Sequence, residues 1–541
     1  MQSGFRGSNM PSSQQMIQAF TRAMEAISQA PILYGPNGRP LSPVGTHGIR
    51  RESAGQSGSL KGWRPQRYRS VQEESRDRAE VVRRSCDLVD NDPHAAGLVD
   101  TFAATVVGAG LVPHPNPDPD ALNLDKETDQ TLTRQMRAVY SRWRYHADAG
   151  QRFTFGQIQY MAKVSMMRHG EYFILLPMLD EPGRPYSLAC QVIHPSRIKT
   201  PVDLISRGDI RDGIEIGNYG QPVAAWIKKS GRQGNINLPD IKANFLRIPF
   251  RKGHRRCVLH GFVAKDAEQV RGWPFLSPAL KYFRSFNDLL DAELISNVIT
   301  SALSYFIETV GGDDPWSMAS RRATSTDLST NGNGSQITRR YEEIIPGLVM
   351  YGEPNQKPHI LSANRPGTTF EPFTKTVKKS LSLAAGLPYV IGFKDYEETQ
   401  FAGARMAMLD AWRVFSMERE WLASGLCQPI FTALMEEAWL RGDIDYPAEN
   451  FYRDMDLVTG CDWRGAPKGD IEPVKATQSD VLLYKNNLKT REQCIIERGG
   501  DPRRVTRQLE EENEDLTDRR LPVYGPDTAT ESQNEENDNA E

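Results

Sequence analysis

The sequence predicts an α+β chain in which long helices dominate, and three observations carry that expectation. Segments 277–309 and 403–440 keep apolar side chains at three-to-four spacing well beyond the usual helix length. Between 171 and 262 the pattern changes to short β-branched and aromatic runs parted by Pro and Gly. At 541 residues the chain exceeds the size at which a single core stops growing, so roughly two to four subdomains are expected.

Composition narrows the class. Apolar residues make up 39 % and charged residues 25 %, with 35 Pro and 43 Gly, a globular profile diluted by polar, unstructured length. The net charge of −3 hides an asymmetry: residues 510–541 hold 12 acidic and 2 basic side chains, leaving +7 on the rest. The body is therefore mildly basic, and the acidic tail beyond Glu510 is expected to be solvated and disordered. No run approaches the roughly 18 apolar residues that span a bilayer. The opening MQSGFRGSNMPSSQQM lacks the apolar region of a secretory signal. Six scattered cysteines with no C-x-x-C pair argue against a zinc ribbon or a disulfide scaffold and point to a reducing cytoplasm.

Along the chain, a short helix is expected at Met16–Ile27, followed by a Gly/Pro/Ser-rich stretch that cannot bury enough apolar surface to offset its ordering entropy. Ordered structure should begin near Trp63. Helical pattern runs from Ser70 to Thr105, broken at Asn91-Asp92-Pro93 and ending in the glycines of VVGAGLVP. A helix over Asp125–Ala147 places Leu132, Met136, Val139, Tyr140 and Trp143 on one stripe. YFILLPML, YSLACQVI, DGIEIGN and VAAWIKK read as strands, the last two forming a hairpin across Asn218–Gln221. Ser277-Pro278 opens the longest helix, expected to reach Thr309, with a stripe of Leu280, Phe283, Phe286, Leu290, Leu294, Val298, Ala302 and Tyr305. Residues 310–336 read as loop, and 337–370 as short strands and turns. A helix over Glu371–Ala385 stops at Gly386-Leu387-Pro388, and Tyr389–Ala402 is expected to be a loop. The second long helix, from Gly403 to about Leu440, should kink at Ser424-Gly425 and Pro429, and a late helix starts at Asp501-Pro502.

Catalytic signatures are absent from the sequence: no P-loop, no H-E-x-x-H and no G-x-S-x-G elbow. Gly108-Ala109-Gly110 follows a helix and lacks a third glycine. His254 and His260 lack helical ligand spacing, and His254 lies in RKGHRR, where like charge repels a cation. His169-Gly170-Glu171 reads as a helix end feeding a strand, with an acid/base role the competing reading. Asp118 and Asp120 lie in a proline-stiffened loop, a poor frame for paired catalytic carboxylates. The basic clusters RPQRYR, RKGHRR, Arg321-Arg322 and Arg339-Arg340 suit solvated surface or non-specific phosphate contact.

The order of segments carries more than any one of them. RRSCDLVDNDPHAAGLVDTFAATVVGAGLVP, RHGEYFILL, HPSRI, the DGIEIGNYGQPVAAWIKK hairpin and HGFVAKDAEQVRGWPFLSPALKYFRSFNDLLDAEL come first. PGLVMYGEPN, LSLAAGLPYVIG, FAGARMAML, IEPVKA and GGDPRRV follow. Over about residues 63–510 this series resembles the lambda-type family of tailed-phage portal proteins. Phe401–Arg405 stands where that family more often has a Ser-Ser-x-Arg type turn, and Glu472 stands where Asp is usual.

The resemblance implies a portal fold: an α/β wing, long stem helices, a small clip and a helical crown, assembled as a cyclic ring of typically twelve subunits. Mapped onto this chain it gives a flexible arm (1–62), wing (63–275), first stem helix (276–309) and clip (310–370). The second stem helix (371–387), a tunnel loop (388–402) and a long kinked wing helix (403–442) come next. The crown (443–509) and the disordered acidic tail (510–541) complete the series. It implies no catalysis, cofactor or metal. The implied partners are double-stranded DNA without sequence readout, the terminase large subunit, major capsid and scaffolding proteins, and head-completion and tail connector proteins. No membrane is involved; the location is the virion portal vertex, reached from the host cytoplasm. Within that frame Lys394, Asp395, Glu397 and Glu398 would face DNA, where carboxylates limit sticking to phosphate. Any exposed loop of that length would be comparably polar. Arg321, Arg322, Arg339 and Arg340 would belong to the docking surface. The competing readings are a non-enzymatic oligomeric adaptor unrelated to DNA, and a metal-dependent nucleic-acid enzyme. The enzyme would need clustered carboxylates to hold Mg²⁺.

Overall fold

The computed structural model describes residues 33–34, 40–41, 71–229, 239–307, 326–330, 336–340, 348–351, 370–397, 400–447, 450–469 and 472–519. The chain divides into two units, Met1–Ser70 and Val71–Glu541. In the first, strands β1 (Leu33–Tyr34) and β2 (Pro40–Leu41) pair antiparallel. The expected helix at Met16–Ile27 and the expected start at Trp63 lie outside the described residues.

The second unit begins with helices α1 (Val71–Asn91) and α2 (Pro93–Val107), parted at the expected break. Pro93 takes the first helical turn, where its missing N–H costs nothing. The buried Asp92 carboxylate caps α2, accepting from the His94 and Ala95 N–H groups at 2.7 and 3.1 Å. Helix α2 buries Leu98, Val99, Phe102, Val106 and Val107, so it runs through the middle of the core. Helix α3 (Lys126–Trp143) buries the five stripe residues read from the sequence, and Trp143 donates its indole N–H to the Leu188 carbonyl at 2.8 Å. Helix α4 (Phe155–His169) opens on a Thr154/Gln157 capping box. Its Gly156 packs backbone to backbone on the preceding turn: a Cβ there would sit 2.3 Å from the Ala109 carbonyl oxygen.

Two sheets follow. In the first, β4 (Glu171–Leu175) lies between β5 (Gln191–Ile193) and β12 (Val258–Phe262). In the second, β6 (Ile210–Arg211), β7 (Ile214–Ile216), β8 (Pro222–Lys228) and β9 (Phe245–Pro249) form an antiparallel meander. Phe173, Ile193, Ile198, Ile214, Ala225 and Ile227 share a core that joins the sheets. The expected strand YSLACQVI is ordered as β only at its end. DGIEIGN is not one strand either: Asp212 and Gly213, with φ of 49° and 86°, form the two-residue turn between β6 and β7. Strands β10 (Arg251–Lys252) and β11 (Arg255–Arg256) put the RKGHRR cluster on a small hairpin.

A single carboxylate ties these elements together. Glu171 is 0 % exposed, and Arg271 donates to both its oxygens, from Nε at 2.7 and 2.9 Å and from Nη2 at 2.5 Å. His260 Nε2 lies 3.0 Å away, Arg78 Nη1 3.2 Å and the Gly272 N–H 3.3 Å. Arg78 continues to Asp212 at 2.8 Å, while Arg271 also donates to the Pro195 and Ile198 carbonyls, both at 3.2 Å. Burial alone would raise the Glu171 carboxyl; the Arg271 guanidinium and the His260 hydrogen bond outweigh it and hold the carboxyl well below the usual range. Gly170 (φ +89°) and Gly272 make the approach possible, since a Cβ on Gly272 would lie 1.9 Å from the Gly170 carbonyl oxygen.

From that corner a turn of 3₁₀ helix at Ser277–Ala279 leads into α5 (Leu280–Ala302). The helix stops short of the expected Thr309, because Leu303–Ile307 becomes strand β13, paired in parallel with β16 (Leu348–Tyr351). Between them β14 (Thr326–Thr330) and β15 (Gln336–Arg340) pair antiparallel. Helix α6 (Phe370–Ala384) follows, then α7 (Tyr389–Phe393), which replaces the first part of the expected loop. Helix α8 (Phe401–Leu422), a π-helical turn (Ala423–Cys427) and α9 (Gln428–Arg441) make up the second long helix. The expected kink at Ser424-Gly425 is thus a π turn, and Pro429 supplies its cause by removing one helical N–H.

Helix α8 is locked into the core by Lys163 and Glu418, a buried pair at 2.7 Å with the ammonium 5.0 Å from the Phe102 ring centroid. Helix α10 (Phe451–Val458), the β17–β3 pair (Cys461–Arg464 with Val112–Pro115), α11 (Pro473–Lys485), α12 (Arg491–Glu497) and α13 (Pro502–Asp518) complete the chain. Helix α13 continues through Asp518, past the Glu510 at which disorder was expected. Its acidic run lies on a helix that also carries the apolar residues Val505, Leu509 and Leu516.

Two stability measurements follow. Glu418→Gln should cost about 3–5 kcal/mol by stranding the Lys163 ammonium, whereas Lys163→Met with Glu418→Leu should recover most of it; denaturant unfolding of the single and double variants checks this. Burial, with His194 and Arg168 nearby, pushes His169 down to about 4. The folded chain thus favours the neutral ring, and the unfolded chain takes up the extra proton. Stability contributed by His169 is complete above about pH 6.5 and is lost as pH falls toward 4, at most about 3 kcal/mol. His169→Gln should flatten the unfolding free energy between pH 6.5 and 4.

Candidate channel loop and docking surface

The loop read from the sequence is held at its base and open at its tip. Gly386 (φ +62°) ends α6, and the Ser382 hydroxyl donates to the Leu387 carbonyl at 2.9 Å. Helix α7 then lies against α6 so closely that a Cβ on Gly392 would stand 2.4 Å from Ser382 Oγ. Lys378 Nζ lies 6.0 Å from the Phe393 ring centroid and Lys379 Nζ 5.9 Å from that of Tyr389, placing two α6 cations over α7 aromatics. On the other side His94 packs between Phe393 and Phe286, at ring distances of 5.6 and 5.5 Å. Asn287 donates to Asp92 at 2.8 Å, which fixes α5 to the same corner.

Lys394 caps α7 in the left-handed conformation (φ +55°) with an exposed side chain. Asp395 turns back and accepts from the Tyr389 hydroxyl, and that bond, with the nearby Lys375 and Lys378, holds its carboxyl below the usual range. Tyr396 is 57 % exposed and Glu397 is exposed. Three of the four residues named for this loop are therefore together on one turn, and Glu398 lies outside the described residues. The sequence reading missed Lys375, Lys378 and Lys379, which give the loop its positive neighbours. The KTVKK run on the preceding helix was the available signal.

Of the four docking candidates, Arg321 and Arg322 lie outside the described residues. Arg339 and Arg340 sit on β15, in register with Asp327 and Thr326. The acid/base reading of His169-Gly170-Glu171 fails: Glu171 has no solvent access and its oxygens are taken up by Arg271, Arg78, His260 and the Gly272 N–H. His254 and His260 are not paired, since His254 packs on Tyr452 at 5.5 Å and His260 stacks on Phe173 at 4.1 Å. Among the described residues no group of three His, Cys, Asp or Glu side chains could hold a metal ion, and no helix is long and apolar enough to cross a membrane. All six cysteines are free.

The apolar faces divide sharply. On α5, Phe283 and Phe286 are buried, whereas further along the helix Leu294 is 64 % and Ile295 58 % exposed. Phe373 and Leu383 on α6 and Met406 on α8 are exposed as well.

Comparison with known proteins places the chain. It is 21 % identical over 505 residues to the portal protein of Escherichia phage N15, covering 88 % of this chain and 92 % of that one. It is also 21 % identical over 512 residues to portal protein B of Escherichia phage lambda, covering 88 % and 91 %. Among solved structures, a chain in the neck of a native gene transfer agent particle matches over 79 % of this chain and 94 % of its own length, at 13 % identity. The TM-score of that match is 0.37. Residues 56–419, more than half of the sequence, match the model of the phage portal proteins of the lambda family, and the chain belongs to that family.

Proposed function

We propose that this chain closes into a ring, typically of twelve copies, that forms the channel at one capsid vertex through which double-stranded DNA is packaged and ejected. The observation that carries the reading is the split stripe of α5. A helix that buries Phe283 and Phe286 in its own subunit and leaves Leu294 and Ile295 in solvent has an apolar surface suited to a neighbouring copy. Repetition of a head-to-tail contact around an axis gives a closed ring.

In that ring the 394–400 loop faces the DNA. Its base is fixed by α5, α6 and α2, and its tip mixes Lys394 with Asp395 and Glu397. A channel wall must not hold its cargo, and mixed signs keep the attraction for phosphate weak. The region between α5 and α6, with Arg321, Arg322, Arg339 and Arg340, docks the terminase large subunit and later the head-completion and tail proteins. Scaffolding and major capsid proteins contact the outside of the ring during assembly in the host cytoplasm. The protein acts as a structural part, with no reaction of its own and no bound cofactor.

Native mass by light scattering tests the ring: the expected particle is about 730 kDa, twelve times the 60.8 kDa chain, with a stained central hole. Leu294→Glu with Ile295→Lys should abolish that particle while leaving the unfolding midpoint of the subunit unchanged; a ring of unaltered mass would overturn the assignment of this face. Asp395→Lys with Glu397→Lys should leave the ring intact and cut DNase-protected DNA in a packaging reaction by roughly tenfold, because phosphate contacts accumulate by counterion release.

A further inference from the structure

A second charged site begins where the loop enters α8. Helix α8, the Trp463–Gly469 segment, α11 and the 489–498 stretch enclose a cleft of about 930 Å³. Seven cations line it against three carboxylates. The carboxylates are already engaged: Glu472 with Lys475 at 3.0 Å, Asp480 with Lys489 at 2.8 Å and Arg498 at 3.0 Å, and Glu497 with Lys489 at 2.5 Å. Arg419 spends its guanidinium on the Val106 and Thr105 carbonyls, both at 3.1 Å, and lies 5.0 Å from the Trp412 ring centroid, so its charge is not cancelled. Arg405, Arg464 and Lys468 have no carboxylate within ion-pair distance among the described residues. Arg464 Nη1 is in addition buried without a hydrogen-bond partner. A guanidinium nitrogen taken out of water with nothing to donate to costs free energy that a bound anion would return.

The cleft walls also carry Phe401, Met408, Trp412 and Trp463, so an occupant meets apolar surface between the charges. The volume lies within the roughly 300–1,000 Å³ range of sites for small ligands and short peptide segments, which suits an extended chain and excludes a duplex. Residues 527–541 hold six carboxylate side chains and no Lys or Arg. Helix α13, which leads toward them, starts at Asp501–Pro502, where Asp501 pairs with Arg137 at 3.4 Å and α13 packs against α12 of the cleft wall. Its 17 residues run about 25 Å, and the nine residues from Arg519 to Asp527, eight Cα–Cα steps, span about 28 Å when extended. The acidic stretch is therefore within reach of the cleft.

We propose that this cleft is a binding site for an acidic peptide segment, and that its occupant is the chain's own stretch 527–541, held by Arg405, Arg464 and Lys468. The carboxylates of the segment supply the anions that the cleft wall lacks, and the Trp412 side gives its backbone an apolar floor. The site needs no ring, so it stands or falls apart from the channel reading.

Zero-length carbodiimide cross-linking of the dilute full-length chain, followed by peptide mass mapping, tests it. The expected product is an amide between Lys468 and Asp527–Glu541 carboxylates that predominates over products at the exposed Lys379, Lys394 and Lys485. Arg405→Glu, an exposed change that leaves the core untouched, should reduce the Lys468 product about threefold. An added synthetic peptide of sequence 527–541 should suppress it. Cross-links spread over all exposed lysines, or suppression by a short DNA duplex and not by the peptide, would overturn the proposal.

Discussion

A carboxylate that never meets water organises the mixed half of this chain. Glu171 begins the central strand of one sheet, Arg271 begins the approach to α5, Arg78 comes from α1 and Asp212 from the turn of the other sheet. Removing charge from water is expensive, and such a cluster persists only when every member is paired and hydrogen-bonded. Two guanidiniums face two carboxylates here, with His260 kept neutral by burial, so the cluster balances its own charge. The directionality of these bonds is what apolar packing could not supply. Arg271 is planar, meets Glu171 with two of its nitrogens and reaches two carbonyls besides, which sets the angle at which the chain leaves the sheets for the long helix.

The parts of the fold that depend on neighbours in sequence were legible there. Asp92-Pro93 breaks and restarts a helix because a carboxylate cap and a proline both belong at a helix start. The Leu132–Trp143 stripe is buried as read, since a 3.6-residue period admits one buried face. The end of α5 was not legible for the same reason: Tyr305 continues the apolar spacing, yet Leu303–Ile307 is equally a strand pattern, and pairing with residues 348–351 decides between them. Asp212-Gly213 was read as the start of a strand although the pair is a strong turn signal. The five-residue helix after Pro388 is too short to show a period at all.

The hub itself was out of reach of any local rule. Its bonds join residues 93 and 100 positions apart, and nothing near Glu171 says that its partners are Arg78 and Arg271. What sequence did offer was the coincidence of two glycines, Gly170 and Gly272, each beside one member of the pair. Both are required because the two backbones touch where the side chains meet. The family resemblance included Arg271–Pro274 within the HGFVAKDAEQVRGWPFLSPALKYFRSFNDLLDAEL segment without giving its cause. The cause is geometric, and it explains why an acid/base role for Glu171 was a reasonable reading of sequence and an impossible one in space.

The proposed function divides three tasks by the kind of force each can tolerate. Cohesion within the subunit uses buried pairs, Glu171 with Arg271 and Lys163 with Glu418, whose strength depends on exclusion of water and is little affected by salt. In the proposed ring, contact between copies would fall to exposed apolar side chains such as Leu294 and Ile295, which have no direction and allow many identical surfaces to settle against each other. The loop proposed to face DNA carries exposed charges of both signs, where attraction is weak, short-ranged and easily exchanged. Moving any one of these to another task would fail on physical grounds. Buried ion pairs between copies would demand exact registration at every contact, and an apolar channel wall would offer no screening to phosphate. A strongly basic wall would hold the cargo it must pass. On the proposed reading a conduit keeps its wall from being strongly basic, and the cleft beside α8 and α11 gathers seven cations at a concave site too small for a duplex.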